Sequence, residues 1–504
     1  MNEFIIHIAQ ENKTKNLFGK VADYLHNQIV HSKLNNPLGY LMLLIPTLFI
    51  AFIVSKMGLT IGIVLAAVII AIPLTFACMF YLELGISFII ILSFFLLGIK
   101  RIIGDIQIGL LMDFLVAVMV FGMIVKQTQE RDWGFAKNPI SKIILVWVVY
   151  NLLQAGNPSA ESTMAWLYTV RSFAGIMAMY FLLAYAIKSE KFIYFLIKVW
   201  IILTLVGTAW GYVQEYAGFL PFELAWIMES PERFAILFQA GTFRKFSIFS
   251  DPLVYGILLA FTSLLCFVLA TGPFSKPKKI FLILSGLFMM NGMLFSGTRA
   301  AFILPIAGLA FYGILTFKKQ VLIAMIAAGM FLAVIVNIPT SNPNIVRLQT
   351  AFNPTEDASY QVRMKNQAFI RPFILTHPLG GGLGSVGEWG KQFSPWSPLA
   401  NFPPDSGFVR IAVESGWVGL LIYCTLLFIV FYDGIKNYLL LKDPKLKVVS
   451  LAMLVVLFSL TLANYPQEAI GQYPINLLFF LAIAILNVSI KFDKKIIKEK
   501  SCSI

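Results

Sequence analysis

Charge is what this chain has least of. Only 13% of its 504 residues are Asp, Glu, Lys or Arg, while 59% are hydrophobic; a soluble globular chain has roughly 25% charged and 45–50% apolar residues. Apolar stretches long enough to span a bilayer recur along the chain, for example at 253–270 and 411–430. No soluble domain of ordinary size is left between them. Cysteine is scarce as well: Cys78, Cys266 and Cys424 fall in apolar stretches and Cys502 in the tail. The long polar segments hold none, which excludes a disulfide framework there, and no spacing resembles a zinc site. Nor does the N-terminal stretch read as a signal peptide. Residues 1–36 carry Lys13, Lys15, Lys20 and Lys33 but no apolar core followed by a small-residue cleavage site. Leu17, Val21, Leu25 and Ile29 recur there every four residues. That is the pattern of a short amphipathic helix on the inner membrane surface, or else of a partly ordered cytoplasmic tail.

What is present reads as an all-α polytopic membrane protein of about 14 transmembrane helices (12–14), with a large, partly helical extracytoplasmic loop. The expected spans lie near 38–54, 58–78, 84–99, 107–125, 143–155, 163–187, 195–214, 252–270, 280–297, 300–317, 321–337, 407–432, 448–463 and 474–490. The fifth is short. Residues 1–37 then form a cytoplasmic N-terminal segment, 38–490 the transmembrane domain, and 491–504 a cytoplasmic tail. Two loops, 215–250 and 338–405, are long enough to be functional. The second has Phe352, Trp389, Phe393 and Trp396 to pack and reads as a small folded cap, with a helix near 359–371 ended by Pro372.

Net charge is +14. In a soluble chain that would point towards nucleic acid; here lysine bias across the membrane accounts for most of it, and no nucleic acid partner is expected. The alternating topology puts 24 lysines but one arginine, Arg131, on the inside. The other nine arginines, Arg101, Arg171, Arg233, Arg244, Arg299, Arg347, Arg363, Arg371 and Arg410, lie outside or within spans. Topology selection accepts either residue, so it does not explain the sorting. Guanidinium offers a rigid fork of donors matched to phosphate or carboxylate oxygens. The outer face is therefore built either to hold an anion or to pair with its own acidic side chains.

Arg171 stands inside the sixth span, where an unpartnered charge costs roughly 2.5–3.5 kcal/mol on insertion scales. It faces a functional cavity or snorkels to the interface. Arg299, in Ser296-Gly297-Thr298-Arg299, sits in a very short connection at the membrane boundary, suited to gripping one phosphate geometry or to anchoring. Arg244 and Lys245 precede a helix start at which Asp251 reads as a cap. Arg363 and Gln367 share a helix face that could meet a diphosphate or simply be solvated. The run from His377 through Gly380-Gly-Gly-Leu-Gly384 to Gly387 matches a dinucleotide fingerprint formally, without the strand–helix context that fingerprint needs. It reads instead as a tight turn close to a substrate. His377 is a structural loop residue or a proton-transfer group. Asp405 opens the twelfth span as a helix cap or as the base for an attacking hydroxyl, and Arg410 and Glu414 are placed to pair.

In their order and spacing these motifs resemble the O-antigen ligase and O-antigen polymerase superfamily of membrane glycosyltransferases. The resemblance covers about 240–432 and rests on Ser296-Gly-Thr-Arg299, the long loop two spans later, His377-Pro-Leu-Gly-Gly-Gly-Leu-Gly384, and Asp405-Ser-Gly-Phe with Glu414-Ser-Gly416. It implies a metal-independent, cofactor-free transfer of glycan from undecaprenyl diphosphate on the outer face of the bacterial cytoplasmic membrane, in a multi-pass protein with both termini cytoplasmic. The diphosphate would be held by Arg299 and Arg363, with Arg171, Arg244 and Arg410 as further candidates; Asp405 or His377 would carry the proton. The implied partners are the lipid-linked donor, a glycan or lipid acceptor, membrane lipid and other polysaccharide-assembly proteins. Ligases of the family place a histidine where this chain has Asp405, which points towards a polymerase of surface polysaccharide. The alternatives are a ligase acting on a lipid or protein acceptor and a lipid-linked glycan transporter (flippase).

Overall fold

A computed structural model of the chain describes residues 59–104, 108–239, 241–317, 319–340 and 358–501, with scattered positions between 40 and 56 and at 346 and 349. The expected N-terminal segment, about half of the first expected span, Arg347, Phe352 and Cys502 lie outside the described residues. The chain divides into Met1–Phe76 and Ala77–Ile504.

Helix α1 (Leu59–Phe80) runs from the first unit into the second. There follow α2 (Leu82–Ile103), α3 (Ile108–Glu130), α4 (Pro139–Leu153), α5 (Thr163–Ala186) and α6 (Glu190–Tyr216). The first long loop contains α7 (Pro221–Met228), α8 (Pro231–Leu237) and a small hairpin of β1 (Phe238–Gln239) and β2 (Thr242–Phe243). Four helices come next: α9 (Pro252–Ala270), α10 (Lys276–Leu294), α11 (Arg299–Thr316) and α12 (Lys319–Asn337). The second long loop carries α13 (Ala358–Thr376) and α14 (Gly387–Phe393), and the chain closes with α15 (Gly407–Leu440), α16 (Pro444–Ala463) and α17 (Ile475–Ser501).

Every span expected from 58 onward coincides with a helix, including the short fifth, where α4 is prolonged by a 3₁₀ turn at Gln154–Gly156. Among the described residues ten helices are long and apolar enough to cross a membrane by length and composition. The expectation of about fourteen is thus met only in part. α1, α10 and α12 are outside that set; α10 begins Lys-Pro-Lys-Lys, which lowers its hydropathy. The last helix continues well past 490, through the expected tail.

The core sits around α9, whose side chains are buried on nearly all sides by α6, α10, α11 and α16. Several buried polar groups are paired across helices, as a membrane interior favours. Trp200 donates to Thr262 Oγ1 at 3.0 Å, and the Tyr180 hydroxyl joins Ser141 at 2.8 Å and Asn487 at 3.1 Å. Alternation of the helices brings both long loops to one end of the bundle. Arg101, at the end of α2, is fixed there: its guanidinium donates to the carbonyls of Ser247, Phe249 and Ser250 and lies over the rings of Trp226 and Phe246.

Candidate functional site

The loop end of α15 is broken. Gly416 has φ 69° and ψ −178° inside an otherwise continuous helix, a conformation open in practice only to glycine. A helix break strands carbonyls and an amide, and within a membrane each needs a partner. The glycine run supplies most of them. Gly381 N donates to Val413 O at 2.8 Å, Gly382 N to Glu414 O at 2.9 Å, and Val418 N to Pro378 O at 3.3 Å. The Tyr150 hydroxyl takes Ser415 O at 2.5 Å. From below, Asn157 Nδ2 holds the carbonyls of Leu379 and Gly380 at 2.9 and 3.1 Å. A Cβ at Gly380 would overlap the Gly416 amide, and one at Gly416 would overlap the Pro378 carbonyl. What this tight turn approaches, among the described residues, is the kink of α15.

That dock fixes the cap. Ile370, Val386, Phe402 and Val413 form a small core with Phe373, Ile374, Leu399 and Val409, so α13 lies against the first turns of α15. α13 does not stop at Pro372 but reaches Thr376. Packing of Ile370, Phe373 and Ile374 outweighs the one amide that proline lacks. The terminal carbonyls are then covered by side chains: Thr376 Oγ1 donates to Pro372 O at 2.9 Å, and His377 Nδ1 lies 3.0 Å from Phe373 O, with its ring stacked on Phe373. His377 thus closes a helix.

Asp405 does not cap α15; Ser406 does, accepting from Val409 N. A carboxylate one residue before the cap points elsewhere. Asn366 Nδ2 of α13 donates to Asp405 Oδ2 at 2.9 Å. Asn366 and Arg363 are three residues apart and share a helix face. The structure so brings Asp405 to the face of α13 that carries Arg363, through a residue that nothing in the sequence singled out.

Arg299 is the first residue of α11. The turn before it is clamped by Arg244, whose Nε donates to Ser296 O at 2.9 Å and whose terminal nitrogen donates to Thr298 Oγ1 at 3.0 Å. Thr298 Oγ1 in turn bonds Pro252 O at 2.9 Å, and Lys245 N takes Phe295 O at 3.0 Å. Asp251 caps α9 as the sequence suggests.

A cleft of about 340 Å³ opens beneath the cap between α4, α5, α15 and α17. Its lower wall is apolar: Phe173, Ile176, Met177, Leu426, Phe479 and Phe480. Arg410 stands at its polar end, 3.2 Å from Glu414 and 2.7 Å from Glu468. The buried Asn151 Oδ1 and Thr169 Oγ1, both on the lining, have no hydrogen-bond partner. Native proteins rarely leave such groups unmet, so a polar atom, of water or of a ligand, is expected beside each. Arg171 pairs with Asp113 of α3 at 3.0 Å and lies over Tyr168, which packs on Trp389 and Phe393 of α14. Trp396, by contrast, is exposed.

The pairing reading of the external arginines holds for some of them. Arg171, Arg233 and Arg410 pair with carboxylates. Arg101 and Arg244 hold carbonyl groups. No carboxylate among the described residues pairs with Arg363, which is half-exposed.

These features define a class: a multi-pass helical membrane protein whose candidate site is assembled at one end of the bundle from helix starts and a folded loop. Residues 280–424 match the family model described as O-antigen ligase, which ties the chain to the O-antigen ligase and polymerase superfamily. The matched segment contains Arg299, Arg363, Asp405 and the broken start of α15. No curated protein matches the chain.

Proposed function

We propose that the chain is a metal-independent glycosyltransferase of the bacterial cytoplasmic membrane, with its long loops outside and both termini inside. It moves a glycan from undecaprenyl diphosphate to an acceptor hydroxyl. The supporting observation is that, within the segment matching the O-antigen ligase family, Asp405 is bonded by Asn366 of α13, the helix that also carries Arg363.

The acceptor oxygen attacks the anomeric carbon, the bond from that carbon to the diphosphate breaks, and the diphosphate leaves on its lipid with the electron pair. Asp405 receives the acceptor's proton. Arg299 and Arg363 hold the leaving group, since fixed guanidinium donors stabilise the charge it develops. Arg244 positions Arg299 through the turn that both share, and the ion pairs of Arg171 and Arg410 suit them to shaping the cleft. His377, committed to its helix end, leaves the proton to Asp405.

The match to an O-antigen ligase favours transfer of a finished glycan to a lipid or protein acceptor. Asp405, standing where such ligases carry a histidine, favours stepwise polymerisation of repeat units instead. The reading common to both is tested by Arg299→Ala. Transfer from purified carrier-linked glycan is expected to fall by about 10²–10³-fold, the usual cost of one donor to a developing anion, with membrane insertion intact. Undiminished transfer would remove Arg299 from the mechanism, and no transfer by the wild type would move the transporter reading forward.

A further inference from the structure

At the end of the bundle away from the long loops, a half-open groove of about 490 Å³ runs between α6, α9, α10 and α16. Its walls are apolar side chains, among them Ile201, Leu269, Phe281 and Val449. Its rim is basic: Lys198, Lys278 and Lys445 each come from a different helix. None of the three makes a salt bridge with a carboxylate among the described residues. The Tyr194 hydroxyl lines the same groove and is buried with no hydrogen-bond partner. Of the acidic groups nearby, Asp443 is committed to capping α16, accepting from Lys445 N and Leu446 N at 2.9 Å each, and Glu190 lies in the first turn of α6.

We propose that this groove is a binding site for an anionic phospholipid, with the headgroup phosphate among the three lysines and the Tyr194 hydroxyl and an acyl chain along the apolar wall. The site is independent of the glycosyl-transfer reading. An apolar groove facing lipid is filled by lipid; which lipid is decided by its rim. Three lysines from separate helices and one unmet hydroxyl donor line this one groove, and a basic pocket between spans selects phosphate headgroups. The choice between a glycerophospholipid and a polyprenyl phosphate follows from residue type. Lysine is a mobile point charge with no fork, adequate for a singly charged headgroup held loosely. The arginines, suited to a diphosphate in one geometry, gather at the opposite end.

The test is native mass spectrometry of the full chain in detergent with phosphatidylglycerol and phosphatidylcholine added in equal amounts. Wild type is expected to retain phosphatidylglycerol preferentially. Lys198→Gln, Lys278→Gln and Lys445→Gln together should cut that preference at least tenfold, given about fivefold per lysine near an anionic headgroup. The same three changed to Arg should keep it, which separates lost charge from misfolding. Changing Lys137, Lys142 and Lys191 to Gln, at the same end but outside the groove, should also keep it. Equal retention by the groove variant and wild type would overturn the proposal. So would an equal loss in the control variant, since the attraction would then be general, and so would displacement of phosphatidylglycerol by a trace of polyprenyl phosphate.

Discussion

Alanine at position 416 is expected to unseat the outer cap and abolish activity together. The backbone there, at φ 69° and ψ −178°, costs any residue but glycine roughly 1–3 kcal/mol. The added methyl group would also overlap the Pro378 carbonyl, which is the acceptor for Val418 N. Relief requires the glycine turn to withdraw, and withdrawal exposes the carbonyls of Val413 and Glu414 in a place where water is scarce. Each orphaned group costs about 1–3 kcal/mol more. The variant should therefore show a lowered melting temperature in detergent and faster proteolysis between residues 377 and 406, well before the spans themselves are lost. Gly156→Ala, where an added methyl group meets nothing within 4 Å and φ is not positive, is the comparison; if Gly416→Ala melted and resisted protease as wild type does, the kink would have no such role.

Asp405→Asn is the second large effect, and it separates chemistry from structure. Asparagine keeps a side-chain oxygen to accept from Asn366, so α13 stays where it is. It cannot take a proton from an acceptor hydroxyl. Turnover should fall by about 10²–10⁴-fold while binding of the carrier-linked donor, which depends on the arginines, is kept. Asn366→Ala should act through Asp405, lowering turnover less and altering the pH profile. Unchanged turnover in Asp405→Asn would pass the proton to another group.

The sequence carried the helices well because a bilayer imposes one simple requirement, an apolar stretch of sufficient length. It carried local pairs too: Arg410 and Glu414 are one helical turn apart and do meet. What it could not carry was long-range partnership. Glu468 completes the grip on Arg410 from 58 residues away. Arg171 was conspicuous as a charge within a span, yet nothing local marks Asp113 of α3 as its partner. The glycine run was legible as a tight backbone turn, but what it approaches was not, because the helix break at Gly416 is hidden inside an unbroken apolar span. Asn366 had no signal at all, being one polar residue on a polar helix.

The most direct test of glycan transfer is the carrier-linked glycan in cells whose only copy carries Arg363→Ala. The account predicts accumulation of undecaprenyl-diphosphate-linked glycan: long finished chains for a ligase, single repeat units for a polymerase. A carrier pool unchanged in amount and length, with surface glycan intact, would contradict it.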